Sequence, residues 1–305
     1  MDAHLRDLRY FAAVAEELSF TRAAERLHLS QPALSKQIRG LETLMRAKLF
    51  DRDRRQVRLT AAGTTLLAVA NQLLSDWDEG AAAVADAAAD DARVLRVGTL
   101  TAIGRALYPR ITSHFAKRQP GWRIELRSFD WGDPTAGLHD RATDTAFVWL
   151  PIETETLRSE VLVSERRFVA LSTRHPLATR TEVDFAELAD EPFVALPRSA
   201  GPLRDFWLGS DGRAGTPVNV AAEASSADET FEVVSSGAAV HLLAEGNAII
   251  YARPGIACIP VTGLEPAQLA VAWRRNDHRP AVHSFVHACA DAIADRGAYS
   301  SRSFS

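Results

Sequence analysis

Residues 19–42 read SFTRAAERLHLSQPALSKQIRGLE, and this stretch predicts two short helices joined by a tight turn. In the first helix the adjacent residues Ala23 and Ala24 allow another helix to cross closely. The second helix can begin at Ser30, whose hydroxyl suits an N-cap, with Pro32 in the first turn, where a missing N–H costs nothing. The other segments among the first sixty residues are expected to pack around this helical pair.

The second helix has one apolar and one polar face. Leu34, Ile38 and Leu41 recur at spacings of four and three residues, which is typical of a buried helix face. The opposite face carries Gln31, Ser35, Lys36 and Arg39. These side chains can read base edges in the major groove, since glutamine pairs with adenine, and lysine or arginine with guanine or phosphate. Taken alone, the pattern also fits a helical hairpin with a solvated polar face.

A β-hairpin is predicted directly after the helices. Two short segments, residues 49–52 and 57–60, flank a polar tip that contains Asp53, Arg54 and Arg55. A hairpin in this position is a wing beside the DNA-reading helix. The predicted DNA-contacting residues are Thr21, Ser30, Gln31, Pro32, Ser35, Lys36, Arg39, Arg52, Arg54 and Arg55.

Between Phe11 and Gly63 the chain reads FxxVAxxxSFTRAAxxLxxSQPALSxQIxxLE, followed by LFxRxxRxVxLTxAG. This pattern resembles the winged DNA-binding domain of the LysR-type transcriptional regulators. The resemblance implies an α/β architecture with an N-terminal winged helix-turn-helix, a linker helix that forms a homodimer, and a two-lobed effector domain like the periplasmic binding proteins. Double-stranded DNA with two-fold related half-sites is the implied partner. Homotetramers are expected, and RNA polymerase is left open as a further partner.

The resemblance divides the chain into three parts. We expect the DNA-binding domain at residues 1–60, the dimerisation helix at residues 61–92 and the effector domain at residues 93–305. Lobe I of the effector domain is expected at about 93–160 and 267–296, and lobe II at about 161–266.

The composition of the 305 residues, with 47% hydrophobic side chains, is that of a globular protein of two or three domains. The first four residues show no signal peptide, and no window approaches the length of an apolar membrane span. We therefore expect a soluble, cytoplasmic protein without a membrane partner. Its two cysteines, Cys258 and Cys289, do not make a disulfide framework, which agrees with a reducing compartment.

The formal net charge of −4 is unevenly distributed. Residues 1–60 carry 12 Lys and Arg against 8 Asp and Glu, whereas residues 61–92 carry six acidic and no basic residues. The basic end of the chain is therefore the end predicted to bind DNA.

Residues 61–89 predict one long helix, because they contain no proline and only Gly63 and Gly80. Apolar and small residues alternate at spacings of four and three, the seam of a two-helix coiled coil. The residues predicted to make the dimer are Leu66, Leu73, Trp77 and Val84. The alternative is a helix packed on its own domain.

From Val94 onward strands alternate with helices, which predicts a mostly parallel sheet in each of two lobes. The first helix of this part is predicted to begin at Ala102, and residues 296–305 are predicted to form a loose tail. Short phrases resemble the family's effector domain at residues 96–98, 175–178, 193–198 and 233–243. Trp149 and the pair Ala244-Glu245 depart from the family pattern near the expected cleft.

Open α/β sheets bind ligands at the carboxyl ends of their strands. Predicted helix N-termini at Ala102 and near Pro202 point at one such cleft and favour an anion. Trp131 and Trp149 would add flat walls, so the expected effector is a small carboxylate, with an aromatic body as one form. The candidate effector-binding residues are Thr99, Thr101, Ser128, Trp131, Trp149, Ser199 and Ser225. Each Thr or Ser can instead be an ordinary helix cap, and the tryptophans can instead fill the cleft.

An enzyme has little support, because the chain lacks the G-x-S-x-G, phosphate-loop and dinucleotide fingerprints. His283 and His287 are four residues apart and near Cys289, but no carboxylate cluster completes a metal site. The sequence therefore predicts no catalytic residue, metal or cofactor. A redox- or metal-responsive regulator of the same architecture remains an alternative, as does a solute-binding protein of a different class.

Overall fold

The computed structural model describes residues 4–53, 56–104, 106–152, 155–213, 215 and 217–300. The chain forms two compact units, Met1–Ala88 and Ala89–Ser305.

The first unit is built from short helices, a β-hairpin and a long helix. Its elements are α1 (Leu5–Glu17), α2 (Phe20–Arg26), α3 (Gln31–Met45), β1 (Phe50–Asp53), β2 (Gln56–Leu59) and α4 (Ala61–Asp91). The strands β1 and β2 pair antiparallel. The predicted helix pair and hairpin are confirmed.

Side-chain caps set the starts of α2 and α3. The Ser19 hydroxyl accepts a hydrogen bond from the backbone N–H of Arg22 at 3.3 Å, and the Ser30 hydroxyl accepts one from Ala33 at 3.4 Å. Pro32 lies in the first turn of α3, as predicted. Both caps satisfy N–H groups that a helix start would otherwise leave without a partner.

An aromatic cluster joins the helices to the wing. The ring centroid of Phe50 in β1 lies 5.3 Å from that of Phe11 and 5.7 Å from that of Phe20. Ala23 and Ala24 are buried in the same core, so α2 is in close contact with its neighbours. Tilted and edge-on aromatic pairs add about 0.5–1.5 kcal/mol each beyond their area of burial.

The second unit contains two lobes. Its strands are β3 (Val94–Thr99), β4 (Arg123–Ser128), β5 (Thr145–Trp149), β6 (Leu157–Glu165), β7 (Arg167–Ser172), β8 (Val183–Asp184), β9 (Phe193–Ala195), β10 (Val220–Glu223), β11 (His241–Ala244), β12 (Ile256–Thr262) and β13 (Ala267–Arg274). Its helices are α5 (Leu107–Arg118), α6 (Pro202–Trp207), α7 (Ala227–Ser236), α8 (Glu245–Ile250) and α9 (Pro280–Ser300).

Each lobe has its own sheet. Lobe I has five strands in the order β4-β3-β5-β13-β6, and lobe II has four in the order β11-β7-β12-β8 beside a parallel pair of β9 and β10. In lobe I, Phe285 of α9 packs against Phe115 of α5 and Phe147 of β5, with ring centroids 5.7 and 5.8 Å apart. The last strand and last helix of the chain therefore return to lobe I, as predicted.

The prediction of mostly parallel sheets is wrong. Strand β3 is parallel to β4 and β5, but β13 is antiparallel to β5 and β6, and β7 is antiparallel to β11 and β12. The reason is that the chain passes from lobe I to lobe II through β6 and β7 and returns through β12 and β13. The returning strands pair with the outgoing ones in each lobe and therefore run in the opposite direction. Antiparallel neighbours need no crossover.

Two predicted helix boundaries are also wrong. Helix α5 begins at Leu107 instead of Ala102, because Gly104 and Ala106 have φ values of 65° and 53°, which do not fit a right-handed helix. Helix α9 continues to Ser300, so residues 296–300 are not a loose tail. Residues 301–305 lie outside the described residues.

Candidate nucleic-acid interface and interlobe cleft

Helix α3 presents a polar side away from the core of the first unit. Gln31, Lys36 and Arg39 are exposed, whereas Leu34 and Ile38 are fully buried. The exposed side thus offers one amide and two cations, which suits contacts to base edges and phosphates. Three more predicted contacts are exposed at the first turns of α2 and α3: Thr21, Ser30 and Pro32.

Ser35 is less exposed than its neighbours on this surface. Its exposed fraction is only 9%. Ser35 directly follows the buried Leu34 and lies one turn before Ile38, so it stands at the edge of the apolar face, where a small side chain is covered. Ser35 is thus less accessible than the other described contact residues, and its contact with DNA stays a prediction.

The wing carries a further arginine. Arg52 belongs to β1, but its side chain, and all of Arg54 and Arg55, lie outside the described residues. Arg58 on β2 was not predicted and is exposed, and its guanidinium donates to the side-chain oxygen of Gln56. The alternation of polar and apolar residues along β2, which reads QVRL, was the sequence signal that could have indicated it.

An apolar stripe runs along the exposed side of α4. Val69, Leu73, Trp77 and Val84 are between 47% and 72% exposed. Leu66, predicted to lie in the same seam, is half-buried and packs against the core of the first unit. The stripe therefore includes Val69, which was not predicted. It does not include Leu66, which was predicted.

Three tryptophans meet between the two lobes of the second unit. Trp131 and Trp149 of lobe I and Trp207 of lobe II are buried, and Trp149 stands edge-on to Trp207 with ring centroids 5.7 Å apart. The indole N–H of Trp149 donates to the Thr101 hydroxyl at 3.4 Å, and that of Trp131 donates to the Leu100 carbonyl at 3.2 Å. The space left between these side chains is about 40 Å³, so the tryptophans fill much of the cleft.

A wider groove of about 460 Å³ lies beside this cavity, and Thr99, Thr101, Ser128 and Ser225 are among its lining residues. The Thr99 hydroxyl donates to the carbonyl of Thr101 at 2.6 Å. The backbone N–H and hydroxyl of Ser225 donate to Glu229 Oε2 at 2.7 and 3.0 Å. These bonds from Ser225 hold the pKa of the Glu229 carboxyl below its ordinary value. Three of the four predicted polar residues are thus already engaged: Thr99 and Ser225 as donors, and Thr101 as the acceptor of the bond from Trp149.

The two helix N-termini predicted to favour an anion are not both present. Helix α5 begins five residues later than predicted, and α6, which begins at Pro202, has only six residues. Ser199 is exposed in a short 3-10 turn and does not line either space. The sequence prediction therefore misplaced the anion-favouring helix start at Ala102, and effector binding by Ser199 stays a prediction.

Lobe II contributes polar residues that the sequence prediction missed. His241, Asn247 and Tyr251 line the cavity between the lobes. His241 is buried, and burial lowers the pKa of its imidazole to about 4. A histidine inside the apolar run at residues 239–244 was the available signal, since a buried polar group in such a run needs a specific partner.

The two thiols are poorly placed for redox chemistry. Cys258 is half-buried and Cys289 is buried. Burial raises the pKa of the Cys258 thiol to about 11 and moves that of Cys289 upward as well. The reactive form is the thiolate, so neither cysteine is activated. Over the described ranges no group of three or more His, Cys, Asp or Glu side chains is arranged to hold a metal ion.

Comparison with known protein families gives two matches along the chain. Residues 5–64 match the bacterial regulatory helix-turn-helix protein, lysR family, and residues 88–294 match the LysR substrate binding domain. In the described part of the chain, no helix has the length and apolar character needed to cross a bilayer.

Relatives resemble the chain over most of its length. The Hca operon transcriptional activator HcaR of Escherichia coli is 32% identical over 95% of this chain and 98% of its own. The regulator YnfL of the same organism is 37% identical over 80% of this chain and 82% of its own.

Solved structures have the same fold. Full-length BenM, a regulator from Acinetobacter baylyi, is 26% identical, covers 97% of this chain and 98% of its own, and has a TM-score of 0.55. CbnR solved with its target DNA, 24% identical over 95% of this chain and all of its own, has a TM-score of 0.52 and shows the fold alone. Both domain matches and the named relatives, which are regulators and not enzymes, establish that this chain belongs to the LysR family of DNA-binding transcriptional regulators.

Proposed function

We propose that this regulator is controlled by a small molecule that binds between the two lobes of its second unit. The observation that carries the proposal is the cavity lined from both sides, by Trp131 and Trp149 of lobe I and Trp207 and His241 of lobe II. A ligand that touches both lobes stabilises one relative arrangement of them over others. Occupancy of the cavity would in this way be converted into a change of shape.

The proposed effector is a small carboxylate with an aromatic body. The flat side chains of Trp131, Trp149 and Trp207 support the aromatic body. The Thr101 hydroxyl, which accepts a bond from Trp149, keeps its own proton to donate to an acid. No Lys or Arg among the described residues lines the cavity or the groove. The acid must then be received by side chains other than lysine or arginine.

The free space of about 40 Å³ is too small for an aromatic ring with its acid group. Binding therefore requires a movement of the tryptophans or of the lobes. Trp149 and Trp207 are the natural moving parts, since their edge-on contact joins the lobes. Their fluorescence should report on ligand entry.

We also propose that two copies pair through the exposed stripe on α4 and place two α3 helices on two-fold related half-sites. Exposed apolar stripes of this kind are covered by a partner in stable proteins. The dimer is the unit that reads DNA in this proposal, and tetramers form from pairs of dimers.

The effector proposal is tested by calorimetry and tryptophan fluorescence with a panel of aromatic and aliphatic acids. We expect an aromatic acid to bind, and Thr101→Val to weaken it by about tenfold, the cost of one hydrogen bond to a charged group. The matched control is Thr181→Val, an exposed threonine outside both spaces. Binding unaffected by Thr101→Val, or binding of cations and neutral compounds only, would contradict the carboxylate proposal.

A further inference from the structure

His241 is a buried polar side chain in the wall between the lobes. It begins β11, is 5% exposed and lines the cavity. Its ring lies parallel to the indole of Trp131 of lobe I, with centroids 5.6 Å apart and planes 5° apart. The stacking fixes the plane of the imidazole at the point where the two lobes meet.

The two ring nitrogens of His241 have different surroundings. Nδ1 lies 3.3 Å from the backbone carbonyl of Val194. A carbonyl can only accept, so Nδ1 carries the proton in the neutral ring and Nε2 is a bare acceptor. Nε2 has no hydrogen-bond partner among the residues that the structure describes.

Charged groups on the elements around His241 form ion pairs or hydrogen bonds with other residues. On α7, which packs at the cavity, Asp228 pairs with Arg253 at 3.4 Å and Glu229 accepts from Ser225. On β7, Arg167 pairs with Asp211 and lies opposite Ala244, at the other end of β11. The strand β9 contributes the Val194 carbonyl and no charge.

Among the described residues, the remaining titratable group in the cavity wall is Tyr251, adjacent to the end of α8. Burial raises the pKa of its phenol, so it is neutral. The lobe I residues in the wall, Leu100, Thr101, Trp131 and Trp149, are uncharged. A carboxylate that entered this cavity would meet no lysine or arginine of the described ranges, and an isolated buried carboxylate is very costly.

We propose that His241 receives the acidic group of the effector and takes up one proton as it does so. This rests on the proposed function, in which an acid binds between the lobes. The carboxylate enters with its negative charge, a proton from solvent binds Nε2, and the imidazolium donates to a carboxylate oxygen. The pair adds no net charge to the cavity. The same complex forms when the neutral acid binds and gives its proton to Nε2.

This assignment predicts a linkage between binding and pH. Each bound carboxylate removes one proton from solution at pH values where free His241 is neutral and the acid in solution is ionised. The apparent affinity then falls with rising pH, by up to about tenfold per pH unit above the pKa of His241 in the complex. An acid held only by neutral donors would show no such dependence.

The experiment is calorimetric titration of the full-length protein with benzoate, in phosphate and in Tris, between pH 6 and pH 8. Buffers with different heats of ionisation reveal the number of protons taken up. We expect close to one proton for each benzoate bound. We expect none for His241→Gln, which keeps an acceptor without titrating, or for His241→Phe, which keeps a ring against Trp131. His139→Gln, an exposed histidine elsewhere in lobe I, should behave as the unaltered protein.

A second measurement avoids variants that fail to fold. The NMR signal of the His241 ring in the unaltered protein should change from the neutral to the charged form when benzoate is added at pH 7. Benzoate binding without proton uptake, or unchanged uptake in His241→Gln, would overturn the assignment of His241 alone. Absence of binding by benzoate and by every other acid of the panel, at every pH, would overturn the effector proposal as well.

Discussion

Glu42 in α3 accepts a hydrogen bond from the backbone N–H of Leu49 at 2.9 Å. The same carboxylate oxygen, Oε1, lies 3.3 Å from the N–H of Phe50, the first residue of β1. One side chain of the candidate DNA-reading helix thus holds the start of the wing. This contact and the aromatic cluster around Phe50 join the helices to the wing.

Replacement of Glu42 by alanine should destabilise the first unit by about 1–3 kcal/mol, since it leaves two partly buried N–H groups without an acceptor. Calorimetric melting of the full chain would measure the change. Glu25→Ala, at an exposed position of α2, is the control and should stay within about 0.5 kcal/mol of the unaltered protein. Equal melting of both variants would show that the Glu42 contact does not hold the wing.

Pairing through α4 predicts that Leu73→Glu forms monomers, because the new charge would face an apolar surface. Sedimentation over a range of concentrations gives the oligomeric state. Gln72→Glu places the same charge on the neighbouring, exposed residue and should leave assembly intact. Leu66→Ala should lower stability and not assembly, since Leu66 packs within the first unit. A Leu73→Glu dimer as stable as the unaltered one would rule out the stripe as the pairing surface.

A buried ion network in lobe I makes a third prediction. Asp144 accepts from Arg96 at 2.6 Å and from Arg279 at 2.8 Å. Burial by itself would raise the pKa of Asp144, but these hydrogen bonds hold it below the ordinary value. Asp144→Asn should therefore destabilise the second unit by about 3–5 kcal/mol.

The control for Asp144 is Asp291→Asn, which removes an exposed pair with Arg118 and should cost less than about 1 kcal/mol. Urea unfolding followed by fluorescence measures both. A small effect at Asp144 would mean that the arginines find other partners.

The lowered pKa of His241 leads to a prediction of how stability depends on pH. Its pKa is about 4 in the folded chain against an ordinary value of 6.5, so unfolding takes up a proton between these values. Stability should be greatest above pH 6.5 and should fall as the pH drops toward 4, by on the order of 3 kcal/mol in all. Melting temperatures at pH 7 and pH 5 should differ less in His241→Phe than in the unaltered protein. An identical loss in both would show that other groups cause the acid sensitivity.

Local sequence patterns predicted the first unit well, because its features are set within a few residues. The Ser30 cap, Pro32 in the first turn and the hairpin all depend on near neighbours. Periodicity also found the exposed stripe of α4. Periodicity could not show how far Ser35 and Leu66 are buried, since spacing shows which positions share a face but not what covers that face.

The second unit was harder to predict because its cleft is assembled from distant segments. Whether Trp131 and Trp149 line or fill the cleft depends on Trp207 and His241, more than fifty residues away in the chain. The late start of α5 depends on positive φ values at Gly104 and Ala106, and alanine gives no sequence signal for such a conformation.

Reading of DNA bases by the exposed side of α3 is most directly tested with Gln31→Ala. A specific duplex is first selected from a random pool with the unaltered protein, and binding to it and to random duplex is then titrated at several salt concentrations. Gln31→Ala should lose about 1–3 kcal/mol on the selected duplex, with little change on random duplex or in the salt dependence. Gln72→Ala, an exposed glutamine of α4, should change neither. Equal losses of Gln31→Ala on both duplexes, or no loss at all, would contradict the account.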